Sequence, residues 1–286
     1  MMRDKIRLEK GELGTRATFT APWSPDSHKE MMRIKPQELE LNSSNGWFGR
    51  DIDFVKDYIW LKSFTIIDMK IDDISPIMLL KNLSTIKIVT YCNTKLDFNE
   101  FPFLQKCALE WRKGADSIFD CTGLVNLFLN RYKGKSSAPF ANLTRLGTLG
   151  ILNASITELH HLSKLHRLRS LRVGVLRSLK SLDGLQGLSR LESFTMTSCR
   201  SVTTLAPLYG LKSLVEINVS NNGELDSISP LAALPNLRTL LFYERTNIVD
   251  GDLRAIFANP AISKIAFQNR RHYSHMHEEF GGRSEW

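Results

Sequence analysis

The chain has 286 residues, 42% of them hydrophobic and 24% charged, and a formal charge of +8. Those proportions belong to a globular protein with one large core or two ordinary ones, and they exclude a disordered or collagen-like chain. The opening stretch MMRDKIRLEKGELGTRATF lacks the apolar centre of a secretion signal, and no run of about 18 apolar residues occurs, so a soluble, cytoplasmic protein without a membrane span is expected.

In chain order, RATFTAPWSPDSHKEMMRIKPQELEL is expected to supply strands and loops that cap the downstream repeats, with a first repeat near Leu39 and Leu41. An L-x-x-L-x-L pattern then returns at Leu61-Phe64-Ile66, Leu83-Ile86-Ile88, Leu104-Cys107-Leu109, Leu124-Leu127-Leu129 and Leu146-Leu149-Ile151. It continues at Leu168-Leu171-Val173, Leu191-Phe194-Met196, Leu214-Ile217-Val219, Leu237-Leu240-Phe242 and Ile262-Ile265-Phe267, with successive units 20 to 25 residues apart. Leucines three apart would also suit an amphipathic helix. The L-x-L step, however, has period 2, which a short strand keeps on one side and a helix does not. Pro139, Gly184, Gly187, Pro207 and Pro230 interrupt the return segments, which a long helix does not tolerate. Each unit is therefore a strand plus a return, too small to bury its own apolar side, and stacking makes one continuous interior. About ten strands at about 4.8 Å spacing make a sheet roughly 45 Å long. Near the end, NIVDGDLRAIFANP has helical spacing at Leu253, Ile256 and Phe257, limited by Pro260, and the stretch beyond Phe280, GGRSEW, is expected to be disordered. The expected organisation is a cap over 1–35, a solenoid over 36–267 and a partly disordered tail over 268–286.

The pattern resembles the leucine-rich repeat family, and returns such as IDDISPIMLL, VTTLAPLYGL and LDSISPLAAL resemble the 22-residue subtype of internalins and SDS22-like proteins. The resemblance covers about Pro36 to Phe267. It implies an α/β solenoid, a horseshoe of about ten repeats, with a parallel β-sheet on the concave face and short 3₁₀ or extended returns on the convex face. The family's ladder asparagine is matched by Asn222, with Cys199 as the permitted substitute. Met69, Tyr91, Arg112, Tyr132, Ala154, Leu176 and Arg245 fall at that place in other units, which implies an irregular ladder. The resemblance further implies a non-enzymatic, protein-binding inhibitor or adaptor, or an immunity-type protein of the bacterial kind.

Alternation along each strand predicts which side chains leave the core. The candidate protein-binding set is Tyr91, Glu110, Trp111, Arg112, Phe128, Arg131 and Tyr132 in the N-terminal half, Arg172 in the plain centre, and Tyr243, Glu244 and Arg245 toward the C-terminus. Trp, Tyr and Arg dominate interface hot spots because they bury large areas while keeping a polar handle. Two readings compete with an open patch: the N-terminal cap folds over it, or the register is displaced by one residue. Seven basic residues between Lys164 and Arg190 against Asp183 form either a solvated rim or a landing surface for an acidic partner.

Chemistry is harder to find. GxGxxG, GxxxxGK[ST], GxSxG and HExxH are all missing from the sequence. His272, His275 and His277, beside Glu278 and Glu279, have spacing that metal-binding or hydrolytic sites use, and they form the alternative to a binding module. A nucleic-acid binder is a further alternative, disfavoured because only Arg172 of the basic stretch falls on the sheet face. Cys92, Cys107, Cys121 and Cys199 show no CxxC pairing and read as free thiols in a reducing compartment. No cofactor is expected, and the free chain is expected to be a monomer.

Overall fold

The computed structural model describes residues 5–281. Two compact units divide the chain, Met1–Leu129 and Asn130–Trp286. Among the described residues, no helix is long and apolar enough to cross a membrane.

The first unit opens with an antiparallel hairpin, β1 (Ile6–Lys10) and β2 (Thr15–Phe19), in which Ile6 faces Phe19 and Lys10 faces Thr15. A helix comes next, α1 (Pro25–Ile34), where loops and strands alone were expected. Its start signal is local. Ser24 accepts from the Ser27 N–H at 3.2 Å, Ser27 Oγ accepts from the Ser24 N–H at 2.8 Å, and Pro25 occupies the first turn. Strands β3 (Glu38–Asn42), β4 (Ser63–Ile67), β5 (Thr85–Val89) and β6 (Lys106–Glu110) then stack in parallel, and β7 (Asn126–Asn130) reaches the division between units. Leu39, Phe64, Ile86 and Cys107 face one another in adjacent rungs, as do Leu41, Ile66, Ile88 and Leu109. All eight are buried, and burial pushes the Cys107 thiol up. Phe19, Trp23, Phe54 and Tyr58 pack ring against ring and close the free end of this core, while burial raises the Tyr58 hydroxyl to about 12.

The second unit repeats the device with β8 (Thr148–Leu152), β9 (Ser170–Gly174), β10 (Ser193–Thr197), β11 (Glu216–Asn218), the short β12 (Glu224–Leu225), β13 (Thr239–Phe242), the short β14 (Asn247–Ile248) and β15 (Lys264–Phe267). Leu149, Leu171, Phe194, Ile217, Leu240 and Ile265 form one unbroken buried row. Returns in both units include single 3₁₀ turns, such as Ser75–Leu79 in the first and Ala206–Leu208 and Ser229–Ala233 in the second, each with a proline in its first turn. The last return contains α2 (Arg254–Ala258), shorter than its apolar spacing suggested. Beyond it the chain folds back. Tyr273 and Phe280 are buried, the Tyr273 hydroxyl accepts from the Ile248 N–H at 2.9 Å, and Phe280 sits edge-on to Phe257 at 5.4 Å. The tail over 268–281 thus closes the apolar end of the last repeat. The disorder expected past Gly281 falls outside the described residues.

Candidate functional site

How each strand ends decides which side chains reach solvent. In the second unit, one residue beyond each of β7 to β11 and β13 adopts a left-handed backbone: Arg131, Asn153, Val175, Ser198, Asn221 and Glu244, with φ between 51° and 61°. The N–H groups of Arg131, Asn153, Val175 and Asn221 donate to Leu152, Gly174, Thr197 and Tyr243 carbonyls at 2.9 to 3.1 Å. A left-handed residue reverses the next side chain, so period-2 alternation stops there. The following residue turns into the core, as Tyr132, Ala154, Leu176, Cys199 and Asn222 all do.

These left-handed exits in the second unit, and side-chain hydrogen bonds at the exits of the first, overturn part of the expected binding set. Tyr132 is 4% exposed, packs its ring edge-on against Phe140 at 5.5 Å and donates to the Ser136 carbonyl at 3.4 Å. Gly134 leaves room for it, since a Cβ there would lie 2.0 Å from the Tyr132 hydroxyl. Arg112, 7% exposed, lies inside the first unit. Its guanidinium donates to the Thr90 hydroxyl at 2.9 Å, the Thr90 carbonyl at 3.1 Å and the Glu110 carbonyl at 3.3 Å. Glu110 is buried too, at 6%. Trp111 is half-buried, with its ring 6.0 Å from Phe119 of the return segment, and Phe128 is half-buried in the middle of β7. Tyr91, 60% exposed, and Arg131 do face outward. The N-terminal hairpin reaches across this unit as well: Glu12 at its tip pairs with Lys106 on β6, and the buried Glu38 accepts from Arg16 at 2.8 Å and the Leu13 N–H at 2.5 Å.

The second unit keeps its predicted residues in the open. Arg172 stands exposed on β9, and Tyr243, Glu244 and Arg245 are exposed beyond β13. The plain centre is partly filled, because Leu152 leans over Gly174, where a Cβ would come within 2.6 Å of it. Arg245 occupies the expected ladder position yet points outward. Thr246, one residue later, takes the inward place: its hydroxyl donates to the Val219 carbonyl at 2.6 Å and accepts from the Asn222 N–H at 3.0 Å. Asn222 itself accepts from the Cys199 N–H at 3.0 Å and donates to Met196 and Ser220 carbonyls at 2.8 and 3.1 Å. The sequence signal for this slip is the longer spacing from Leu237 to Ile262, which leaves one residue too many at the strand exit.

Arg245 lines two notches. One, of about 570 Å³, is bounded by Arg200, Asn221, Glu244, Arg245 and Gln268. The other, of about 590 Å³, is bounded by Glu224, Arg245, Asn247, Asn269, Arg270, Arg271 and His272, with Gly223. Arg200, Arg271 and His272 were not part of the sequence-derived set, since each follows a strand by a distance at which alternation no longer applies.

The remaining candidates have structural partners. His272 Nε2 lies 2.9 Å from the Ile248 carbonyl, His277 Nε2 3.3 Å from the Ile265 carbonyl, and the His275 ring stacks on Phe257 at 4.4 Å. Among the described residues, no three His, Cys, Asp or Glu side chains group as a metal site. All four cysteines are free. Burial alone would raise the Cys92 thiol, but hydrogen bonds from Thr90 and Thr94 and the Arg112 charge bring it below the ordinary value. Glu158 anchors a return in the second unit. Burial opposes its charge, yet the Ser137 and His160 N–H groups and the Ser136 and Ser137 hydroxyls, at 2.7 to 2.8 Å, bring its carboxyl down to about 2.

Set beside solved structures, the architecture has close counterparts. An internalin (inlF) from Listeria monocytogenes matches with a TM-score of 0.68 at 22% identity, covering 84% of this chain and 70% of its own. The chain folds as a leucine-rich repeat solenoid with an internalin-like architecture. A leucine-rich repeat protein of Leptospira interrogans matches this leucine-rich repeat chain with a TM-score of 0.52 at 16% identity, over 87% and 75% of the two chains. A plant peptide hormone receptor, RGFR1, solved in complex with RGF2, matches with a TM-score of 0.53 at 14% identity, over 92% of this chain and 52% of the receptor. No protein-family model and no curated protein matches the sequence.

Proposed function

We propose that this leucine-rich repeat protein is a non-enzymatic recognition module of the inhibitor or immunity type, monomeric when free, that holds one partner protein against the open strand face and strand exits of its second unit. The observation that carries the reading is the exposure of Arg172 on, and of Tyr243 and Arg245 just beyond, a sheet whose inner row, from Leu149 to Ile265, is fully packed. Large side chains held on a stiff support lose little freedom on docking, which favours affinity from a few anchors. The plant receptor of similar fold, solved in complex with RGF2, supports the same use of the scaffold. Four unpaired cysteines support a reducing, cytoplasmic setting.

The test is purification from the native cell, identification of the co-purifying protein by mass spectrometry, and calorimetric titration with that protein. Tyr243→Ala and Arg172→Ala should each weaken binding by roughly 1–4 kcal/mol with the circular dichroism spectrum unchanged. Wild-type affinity in both variants would contradict the reading.

A further inference from the structure

The notches around Arg245 are built, and their charge is not neutralised by the chain. The extra residue at the exit of β13 throws Arg245 outward while Thr246 locks the backbone behind it. Arg270 braces the same bulge, donating through Nη2 to the carbonyls of Glu244 and Thr246, the two residues flanking Arg245, at 3.2 and 3.0 Å. Its Nε is buried and lacks a hydrogen-bond partner among the described residues. Among those residues no hydrogen bond or ion pair engages the side chains of Arg200, Arg245 or Arg271, although Glu224 and Glu244 line the same notches. Four guanidiniums against two carboxylates leave an excess of fork-shaped donors, whose geometry matches carboxylates in a bidentate arrangement.

Resting on the protein-recognition reading above, we infer that this strand-exit edge takes an acidic segment of the partner protein, with separate Asp or Glu side chains entering the two notches on either side of Arg245. The interleaved Glu224 and Glu244 favour discrete carboxylates over a continuous phosphate backbone, which would run past both acids. The amides of Asn221, Asn247, Gln268 and Asn269 supply neutral partners for peptide groups.

The experiment uses the full chain and a fluorescein-labelled peptide of alternating glutamate and serine, with binding read by fluorescence anisotropy at low salt. Its glutamine counterpart and a mixed-sequence single-stranded DNA serve as rival probes. The glutamate peptide should bind and the glutamine peptide should not. Replacing Arg245→Gln and Arg271→Gln together should weaken it about ten-fold. Replacing Lys133→Gln and Lys135→Gln together removes the same charge from exposed positions elsewhere in the unit and should leave binding unchanged. Equal retention of the glutamine peptide, equal loss in both double variants, or tighter binding of DNA than of peptide would each overturn the inference. Because the readout is the peptide alone, failure here leaves the partner titration with Tyr243→Ala and Arg172→Ala as an independent test of the sheet face.

Discussion

Strands β3 to β6 of the first unit end without a left-handed non-glycine residue in the next three positions, whereas β7 to β11 and β13 each use one. The first unit holds its exits with side chains instead. Asp68, buried after β4, accepts from the Lys70 and Ile71 N–H groups at 2.6 and 2.9 Å, and Arg112 reaches back to Thr90. The second unit uses backbone strain and a buried polar ladder running through Cys199, Asn222 and Thr246. The same repeat length is therefore closed by two devices. One draws arginine inward; the other pushes it out at Arg245. An arginine near a strand exit is an interior bracket or a surface anchor depending on how many residues separate it from the strand, two for Arg112 after β6 and three for Arg245 after β13.

The largest effect should come from Asn222→Leu. Removing the amide leaves the Cys199 N–H and the Met196 and Ser220 carbonyls buried without that partner, at a cost of about 3 kcal/mol in urea unfolding. A loss under about 0.5 kcal/mol would mean the ladder is ornamental. Arg112→Leu should cost slightly less, about 2–3 kcal/mol, and Arg112→Lys should not rescue it, because a point charge cannot serve the Thr90 and Glu110 acceptors together. Full rescue by lysine would break the contrast between the units from the other side.

Glu158→Gln probes a return of the second unit and should cost about 1 kcal/mol at neutral pH, discounted because the carboxylate is about one-third exposed. Its folded-state pKa lies below the unfolded value, so its contribution is complete above the ordinary carboxylate range and is lost as pH falls toward 2. The glutamine variant should therefore show a shallower acid limb in a stability–pH series; identical limbs would contradict that assignment. The smallest effect is a gain. Val175 is β-branched at φ 54°, and Val175→Asn should raise stability by about 0.5–1 kcal/mol. Destabilisation on that change would argue against the left-handed exit.

Much of the fold was legible because stacking needs only hydrophobic recurrence, and the rows from Leu39 to Cys107 and from Leu149 to Ile265 sit where the L-x-x-L-x-L pattern puts them. Helix α1 was missed because its apolar face is thin, with Ser27 and Met31 its buried residues, although the Ser24-Pro25 start was readable. The site was legible only as far as each strand ran. Alternation extended past the strand ends wrongly turns Tyr132 and Arg112 outward, and at Glu110 it fails on the last residue of β6 itself. Single residues with positive φ, such as Arg131, reset that rhythm, and no composition rule marks an arginine for such a conformation.

Thiol labelling tests the strand-exit geometry most directly. With Cys92→Ser and Cys121→Ser removing the half-exposed native thiols, Arg245→Cys and Thr246→Cys are made singly, and so are Arg131→Cys and Tyr132→Cys. The extra residue at the β13 exit and the left-handed exit of β7 predict rapid modification by a small maleimide at 245 and 131, and slow modification, limited by local unfolding, at 246 and 132. Equal rates within each pair, or faster labelling at 246 and 132, would contradict them.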